Sequence, residues 1–249
     1  MAMEISEPLV DVLRAAASIG VVTGAGISAA SGIPTYRGKG GIYDDPEEGD
    51  RTVEALSGPT LRDDPDRTWH AIKQLALAAH RATPNAGHDA IVALERRARR
   101  FVLLTQNVDG LHESAGSENI IDIHGNLRRT ICQSCGVIGD EPEWTTLDGS
   151  PRCACGGVLR PDVVLFEEML PTDKVLQLYA ELVDDPPEVV IAVGTTAMFP
   201  YICEPVHATR LAGGTTVEIN PEKTPLSDVV SYRLAGHADV ILPALVDAL

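Results

Sequence analysis

Lysine is scarce: the 249 residues contain only Lys39, Lys73, Lys174 and Lys223, and the formal net charge is −16. A surface of that sign disfavours broad contact with phosphate backbones, so direct nucleic-acid binding is not expected and basic protein partners suit the chain better. A merely solubilising acidic surface accounts for the same charge. Long apolar runs are also missing. None reaches the roughly 18 to 20 residues that span a bilayer, and the N-terminal stretch MAMEISEPLVDVLRAAAS is acidic where a secretory signal would be basic. The expectation is a cytoplasmic protein with no membrane partner. Of five cysteines, four crowd into one stretch, which in a reducing compartment suggests a metal before disulfides.

The stretch that organises the chain runs from Gly24 to Gly38, GAGISAASGIPTYRG, directly after the apolar run Ile19-Gly20-Val21-Val22-Thr23. A buried strand followed by Gly-Ala-Gly places backbone N–H groups where a phosphate can be held, because glycine admits a ligand that a Cβ would keep away. Gly24, Gly26 and Ala29 fit the dinucleotide fingerprint G-x-G-x-x-G/A. A tight strand-to-helix turn without a ligand would use the same glycines. Gly32, Pro34 and Gly38 then break any long helix, so the loop is expected to continue over its ligand.

Short apolar runs recur at Phe101 to Leu104, Asn119 to Ile123, Glu188 to Val193, Thr215 to Ile219 and Ala238 to Leu242, each reading as a buried parallel strand. Helical patterns lie at 8 to 18, Trp69 to Ala82, Ala86 to about Arg99, Lys174 to Val183 and Tyr201 to Leu211. Residues 39 to 68 show no period and read as a loop excursion. Strands alternating with helices define an α/β fold, a Rossmann-like doubly wound parallel sheet whose ligands sit at the carboxyl ends of the strands. Polar groups do follow five of those strands: Gly24, then Gln106 to Asp109, His124, Gly194 to Thr196, and Asn220.

Cys132-Gln-Ser-Cys135 and, after 17 intervening residues, Cys153-Ala-Cys155 make two thiolate pairs suited to one tetrahedral Zn²⁺. Four thiolates leave no open position on the ion, so it would be structural, holding a ribbon too small to bury a core alone. Cys203, in an apolar helical context, reads as a small buried residue. His124 closes Ile120-Ile121-Asp122-Ile123-His124-Gly125; a histidine there can be structural, yet it has the pKa of a general base near neutrality.

Together these motifs resemble the sirtuins, the NAD-dependent protein deacylases, of the small bacterial or archaeal type. The resemblance runs from about Ile19 to Leu242 through the glycine loop, Thr105-Gln-Asn-Val-Asp-Gly-Leu-His112, His124-Gly125, the four cysteines, Gly194-Thr195-Thr196 and Asn220-Pro221-Glu222. It implies NAD contacts at Gly24, Ala25, Gly26, Tyr36, Arg37, Gln106, Asn107, Asp109, His124, Gly194, Thr195, Thr196, Asn220, Glu222 and Ala238. The catalytic residues it implies are His124 and Asn107. Acyl-lysine oxygen would attack the nicotinamide ribose at C1′ to give an alkylimidate, and His124 would deprotonate a ribose hydroxyl that attacks it. The products would be lysine, nicotinamide and O-acyl-ADP-ribose. No acidic residue ends a second strand about 20 residues after the glycines, so the ribose role usual for such a residue passes to Asn220. His112 reads as packing, or as a support behind the residues that touch the cofactor.

The segment Leu159 to Glu168 resembles the family's LRPxVVxFGE, whose backbone takes up the substrate peptide as an added strand, with Val163, Val164 and Phe166 against it. Here Glu167 stands where the family has glycine. A subset acting on succinyl- and malonyl-lysine carries Tyr and Arg where Ile72 and Leu75 stand, so a neutral acyl group is expected. The domains implied are an NAD-binding domain of 1–38, 83–125 and 161–249 and a small domain of 39–82 and 126–160, formed by a helical part and the zinc ribbon. ADP-ribosyl transfer or NAD hydrolysis would use the same site, and a non-catalytic NAD-sensing module is the reading from another class.

Overall fold

The computed structural model describes residues 5–35 and 46–249. Helix α1 (Glu7–Ala15) leads into β1 (Ser18–Thr23), and α2 (Pro46–Ala55), α3 (Gly58–Asp63), α4 (Pro65–Arg81) and α5 (Ala86–Arg97) precede β2 (Arg100–Thr105). After α6 (Leu111–Ala115) come β3 (Ile120–Asp122), β4 (Gly125–Cys132), β5 (Ile138–Asp140) and β6 (Leu159–Val163). The chain closes with α7 (Thr172–Leu178), which continues as a π-turn over Tyr179–Val183, then β7 (Val189–Val193), α8 (Pro200–Leu211), β8 (Thr215–Ile219), β9 (Tyr232–Leu234) and α9 (Ala238–Asp247).

Six strands form one parallel sheet in the order β3-β2-β1-β7-β8-β9. Its central strands are apolar on both faces because helices cover both. Leu9, Leu13, Ile91, Leu94, Ile241, Leu242 and Leu245 of α1, α5 and α9 pack one face. Leu178 of α7, Leu182 and Ile202 and Val206 of α8 pack the other. Each such side chain contributes about 1.5–3 kcal/mol by leaving water. The order reverses between β1 and β7, and at that switch point the loops leaving two adjacent parallel strands part to opposite sides and open a crevice.

The second sheet is antiparallel, β5-β4-β6, and packs with the α2 to α4 region into a third core of Leu56, Leu61, Trp69, Ile72, Ala76, Leu127, Trp144, Val163 and Leu165. Trp69 Nε1 donates to the Leu159 carbonyl at 2.8 Å, and the two indole rings lie 5.7 Å apart, so helix and ribbon are fastened directly.

Two sequence expectations are corrected. Ala238 to Leu242 is not a strand but the start of α9; the sixth strand is the three-residue β9 at the sheet edge. Residues 46–63, expected as loop, form α2 and α3, the latter capped by Ser57, whose Oγ accepts from the Thr60 N–H at 3.2 Å.

Candidate functional site

Because β1, β2, β3, β7 and β8 run parallel, Gly24, Gln106, His124, Gly194 and Asn220 fall on the same edge of the sheet. The loops after β1 and β7 touch there. A Cβ on Gly26 would lie 2.7 Å from the Gly194 Cα, and Gly194 has φ +57°. Gly24 N–H donates to Val193 O at 3.1 Å and Gly26 N–H to Gly194 O at 2.9 Å. The architecture therefore demands these glycines for its own close approach, which also leaves backbone where a ligand can come near. Tyr36 and Arg37 lie outside the described residues.

The turn after β2 is a polar lattice. Gln106 Nε2 donates to Thr195 Oγ1 at 2.8 Å and to Thr23 O at 3.2 Å, coupling the β2 and β7 ends. Asn107 Nδ2 reaches Gly24 O and Ser28 Oγ, both at 3.2 Å, and the buried Ser28 hydroxyl donates to Asp109 Oδ2 at 2.7 Å. The other oxygen of Asp109 accepts from the Leu111 N–H at 2.9 Å, which starts α6. Beneath it, His112 Nε2 lies 3.0 Å from Thr23 Oγ1, and burial, then the neighbouring His88, push its pKa down to about 3. It is a neutral packing residue, as its fully enclosed ring requires.

His124 follows β3. Its Nδ1 is 3.0 Å from Gln106 O and its Nε2 is 2.7 Å from the Tyr201 hydroxyl. A carbonyl oxygen only accepts, so Nδ1 carries the proton and Nε2 presents its lone pair. Burial lowers the imidazole pKa, the hydrogen bond to Gln106 opposes that, and Lys174 adds to the lowering. Lys174 is itself held by Asp122, to the carboxylate at 2.7 Å and the carbonyl at 2.8 Å, and Asp122 also binds Arg129, which reaches Asp162 at 2.7 Å.

At the β8 end, Asn220 Nδ2 donates to Thr195 O at 2.9 Å and its Oδ1 accepts from the Glu222 N–H at 3.1 Å. Thr195 is buried, Thr196 and Glu222 exposed, and Ala25 half-exposed. Ala238 is buried at the start of α9 against the Gly87 backbone.

Val163 pairs with Gly125, Val164 N–H donates to His124 O at 2.8 Å, and Phe166 bonds Leu56 O and the Gly58 N–H, both at 2.9 Å. The chain itself thus engages much of the backbone expected to receive a peptide strand. The Phe166 ring stays exposed, while Glu167 keeps the left-handed φ of +65° that suits glycine. Arg160 grips Glu168 through two bonds of 2.7 Å just behind it. Ile72 is enclosed in the third core with Leu75 packed against it, and Lys73 is turned to the Leu147 carbonyl at 2.7 Å.

The Sγ atoms of Cys132, Cys135, Cys153 and Cys155 lie within 4.8 Å of one another, with Cys132 to Cys155 at 3.5 Å and Cys135 to Cys153 at 3.8 Å. A tetrahedral Zn²⁺ with bonds of about 2.3 Å needs sulfurs roughly this far apart, so the residues fit the ion. The N–H groups of Ser134 and Cys135 point at Cys132 Sγ from 3.4 and 3.5 Å, as donors to a thiolate do. Cys203 is half-buried and donates to Ala197 O at 3.2 Å.

Tyr201, Ser28, His88 and Lys174 belong to this neighbourhood and were not marked by any motif. Only the Ser28 position inside the glycine loop offered a signal.

A doubly wound parallel sheet with amides, hydroxyls and an imidazole at its carboxyl edge, beside a four-thiol ribbon, defines a nucleotide-binding class of α/β protein with an insert whose thiols can hold one metal ion. A Sir2 family profile matches residues 24–199. An "NAD-dependent protein deacylase 2" of Pseudomonas aeruginosa is 52% identical over 94% of this chain and 93% of its own length. An "NAD-dependent protein deacylase 1" of Archaeoglobus fulgidus is 38% identical, covering 90% of each. A crystal structure of a Sir2 homologue in complex with NAD superposes with TM-score 0.87 at 36% identity, covering 99% of this chain and 94% of the other. The chain belongs to the Sir2 family, the sirtuins. No helix among the described residues is long and apolar enough to cross a membrane.

Proposed function

We propose that the protein removes acyl groups from protein lysine in an NAD-dependent reaction that releases nicotinamide and O-acyl-ADP-ribose. The observation that carries this reading is the gathering of Gln106, Asn107, His124, Thr195 and Asn220 on one edge of the sheet, at and beside the β1/β7 switch point. NAD supplies the glycosidic bond to be broken and the ribose that accepts the acyl group. Gly24, Ala25 and Gly26 would let its phosphates approach the backbone, and Asn220, Thr195 and Thr196 would take the adenosine side with Gly194, Glu222 and Ala238.

Gln106 and Asn107 are neutral amides, able to orient ribose hydroxyls without adding charge beside a developing cation. Asp109, tied to Ser28, holds the turn that presents them. His124, neutral with its lone pair on Nε2, would take the proton of a ribose hydroxyl. Phe166, with Val163 and Val164 behind it, would line the acyl-lysine entry. With Ile72 enclosed, Leu75 packed against the core and Lys73 committed to the ribbon, neither of the two positions that carry Tyr and Arg in the succinyl-removing subset offers a partner for an acyl carboxylate, which supports a preference for acetyl or longer neutral groups. The four thiolates would hold one structural zinc, stabilising the ribbon and taking no part in the chemistry. Partners on this reading are acylated proteins met in the cytoplasm.

Incubation with NAD and matched acetyl-, longer acyl- and succinyl-lysine peptides, followed by mass spectrometry, tests it. O-acyl-ADP-ribose and free lysine peptide are expected. ADP-ribosylated protein or free ADP-ribose alone would replace deacylation with transfer or hydrolysis, and faster loss of succinyl than acetyl would remove the acyl preference.

A further inference from the structure

Tyr201 lies in the first turn of α8, where Pro200 begins the helix. The turn that delivers it is unusual: Ala197 is buried with φ +52°, its N–H held by Thr195 Oγ1 at 3.1 Å. From there the Phe199 and Tyr201 rings stack at 5.5 Å and 17°, and both meet the His124 ring edge-on with centroids 6.1 Å away. The stack fixes the phenol, and its hydroxyl sits 2.7 Å from His124 Nε2.

The roles in this contact are determined. Gln106 O takes the proton on Nδ1, so Nε2 can only accept and the phenol must donate. Half-burial raises the Tyr201 pKa to about 12, so the hydroxyl keeps its proton throughout the neutral range. The nitrogen has one lone pair, which the phenol and a ribose hydroxyl cannot both use. Around the imidazole, the turn before α6 supplies a carbonyl, α7 supplies Lys174, β3 and β4 supply Asp122 and Arg129 paired with each other, and α8 supplies Tyr201.

We propose that Tyr201 is a positioning residue for His124: its hydroxyl holds the imidazole as the neutral, Nδ1-protonated tautomer with Nε2 directed into the cleft, and yields that nitrogen to a ribose hydroxyl when NAD arrives. The proposal rests on the reading of His124 as the proton acceptor. A donor to Nε2 stabilises the neutral ring against the imidazolium, so its loss must raise the pKa of the free enzyme's base. Replacement by the ribose hydroxyl exchanges one O–H···N bond for another and keeps the ring's orientation through the unchanged Gln106 contact.

The test uses the full-length enzyme, wild type and Tyr201→Phe, which keeps the stack and deletes only the hydroxyl. Nitrogen NMR of the His124 ring, assigned by difference with His124→Ala, is expected to find Nδ1 protonated and Nε2 bare in the wild type. In Tyr201→Phe the ring titrates about half to one pH unit higher, the worth of one hydrogen bond. The acidic limb of kcat/KM for NAD moves up with it, so the activity loss grows toward acid pH. A purely packing role would lower activity equally at all pH values. An Nε2-protonated ring in the wild type, or an identical titration in both proteins, overturns the proposal. His124→Ala separates the two levels: deacylation surviving that change defeats the proton-acceptor reading, while the ring titration still reports on Tyr201.

Discussion

The backbone N–H of Val164 donates to the carbonyl oxygen of His124 over 2.8 Å, so the candidate base and the candidate acyl-lysine segment are bonded to each other. Gly125 makes that possible. A Cβ there would fall 2.0 Å from Asp162 O, and φ is +89°. Gly125→Ala is expected to destabilise the fold by at least about 3 kcal/mol, combining strain with a backbone clash. Gly213→Ala, also left-handed but with nothing within 4 Å, should cost only about 1 kcal/mol. Denaturant midpoints compare them, and similar losses would refute the close-approach argument.

Ser28→Ala would leave Asp109 Oδ2 without its buried donor and Asn107 without one of its two acceptors. A loss of about 1–3 kcal/mol in stability is expected, with kcat/KM for NAD falling on the order of tenfold. Full retention of NAD kinetics would mean that this lattice does not order Asn107.

His112 links pH to folding. Its pKa is about 3 in the folded protein against 6.5 for the free side chain, so below 6.5 the unfolded chain binds a proton that the native state refuses. Stability therefore falls as pH drops from 6.5, by about 1.4 kcal/mol per unit for this one group. His112→Gln, which can still bond Thr23, should flatten that slope by roughly one proton in urea titrations between pH 6.5 and 4.5. An unchanged slope would assign the effect elsewhere.

The ribbon should depend on its ion. Cys135→Ser, or chelation of the wild type, is expected to lower bound zinc from about one per chain and to expose the β4, β5 and β6 amides to hydrogen exchange, while β1 and β7 stay protected. Full amide protection after metal removal would show a ribbon that folds unaided.

Much of the sheet was legible because buried parallel strands write themselves as short apolar runs ending in polar residues, as at Val193-Gly194 and Ile123-His124. The same rule misassigned Ala238 to Leu242. Five apolar-rich residues do not distinguish strand from buried helix, and only extension to Leu245, on the face of Ile241 and Leu242, reveals the helical spacing. Helix α3 was signalled by Ser57 followed by Pro59, a cap and first-turn pair, but the absence of periodicity around it obscured the cue. Helix α2 carries a cue of the same kind in Asp45-Pro46 followed by two glutamates, and its PEEGDRTVEA, with no apolar period, obscures it in the same way. The motif residues of the site could be read from their order. Tyr201 could not, since its contact with His124 arises from the turn at Ala197, which no local pattern encodes.

Both tryptophans of the chain, Trp69 and Trp144, are enclosed in the third core and none lies against the parallel sheet. Indole emission is consequently a private signal of the inserted module, whereas far-ultraviolet dichroism is dominated by the large α/β layer. Heating while following both would separate the melting of one from the other without introducing any label.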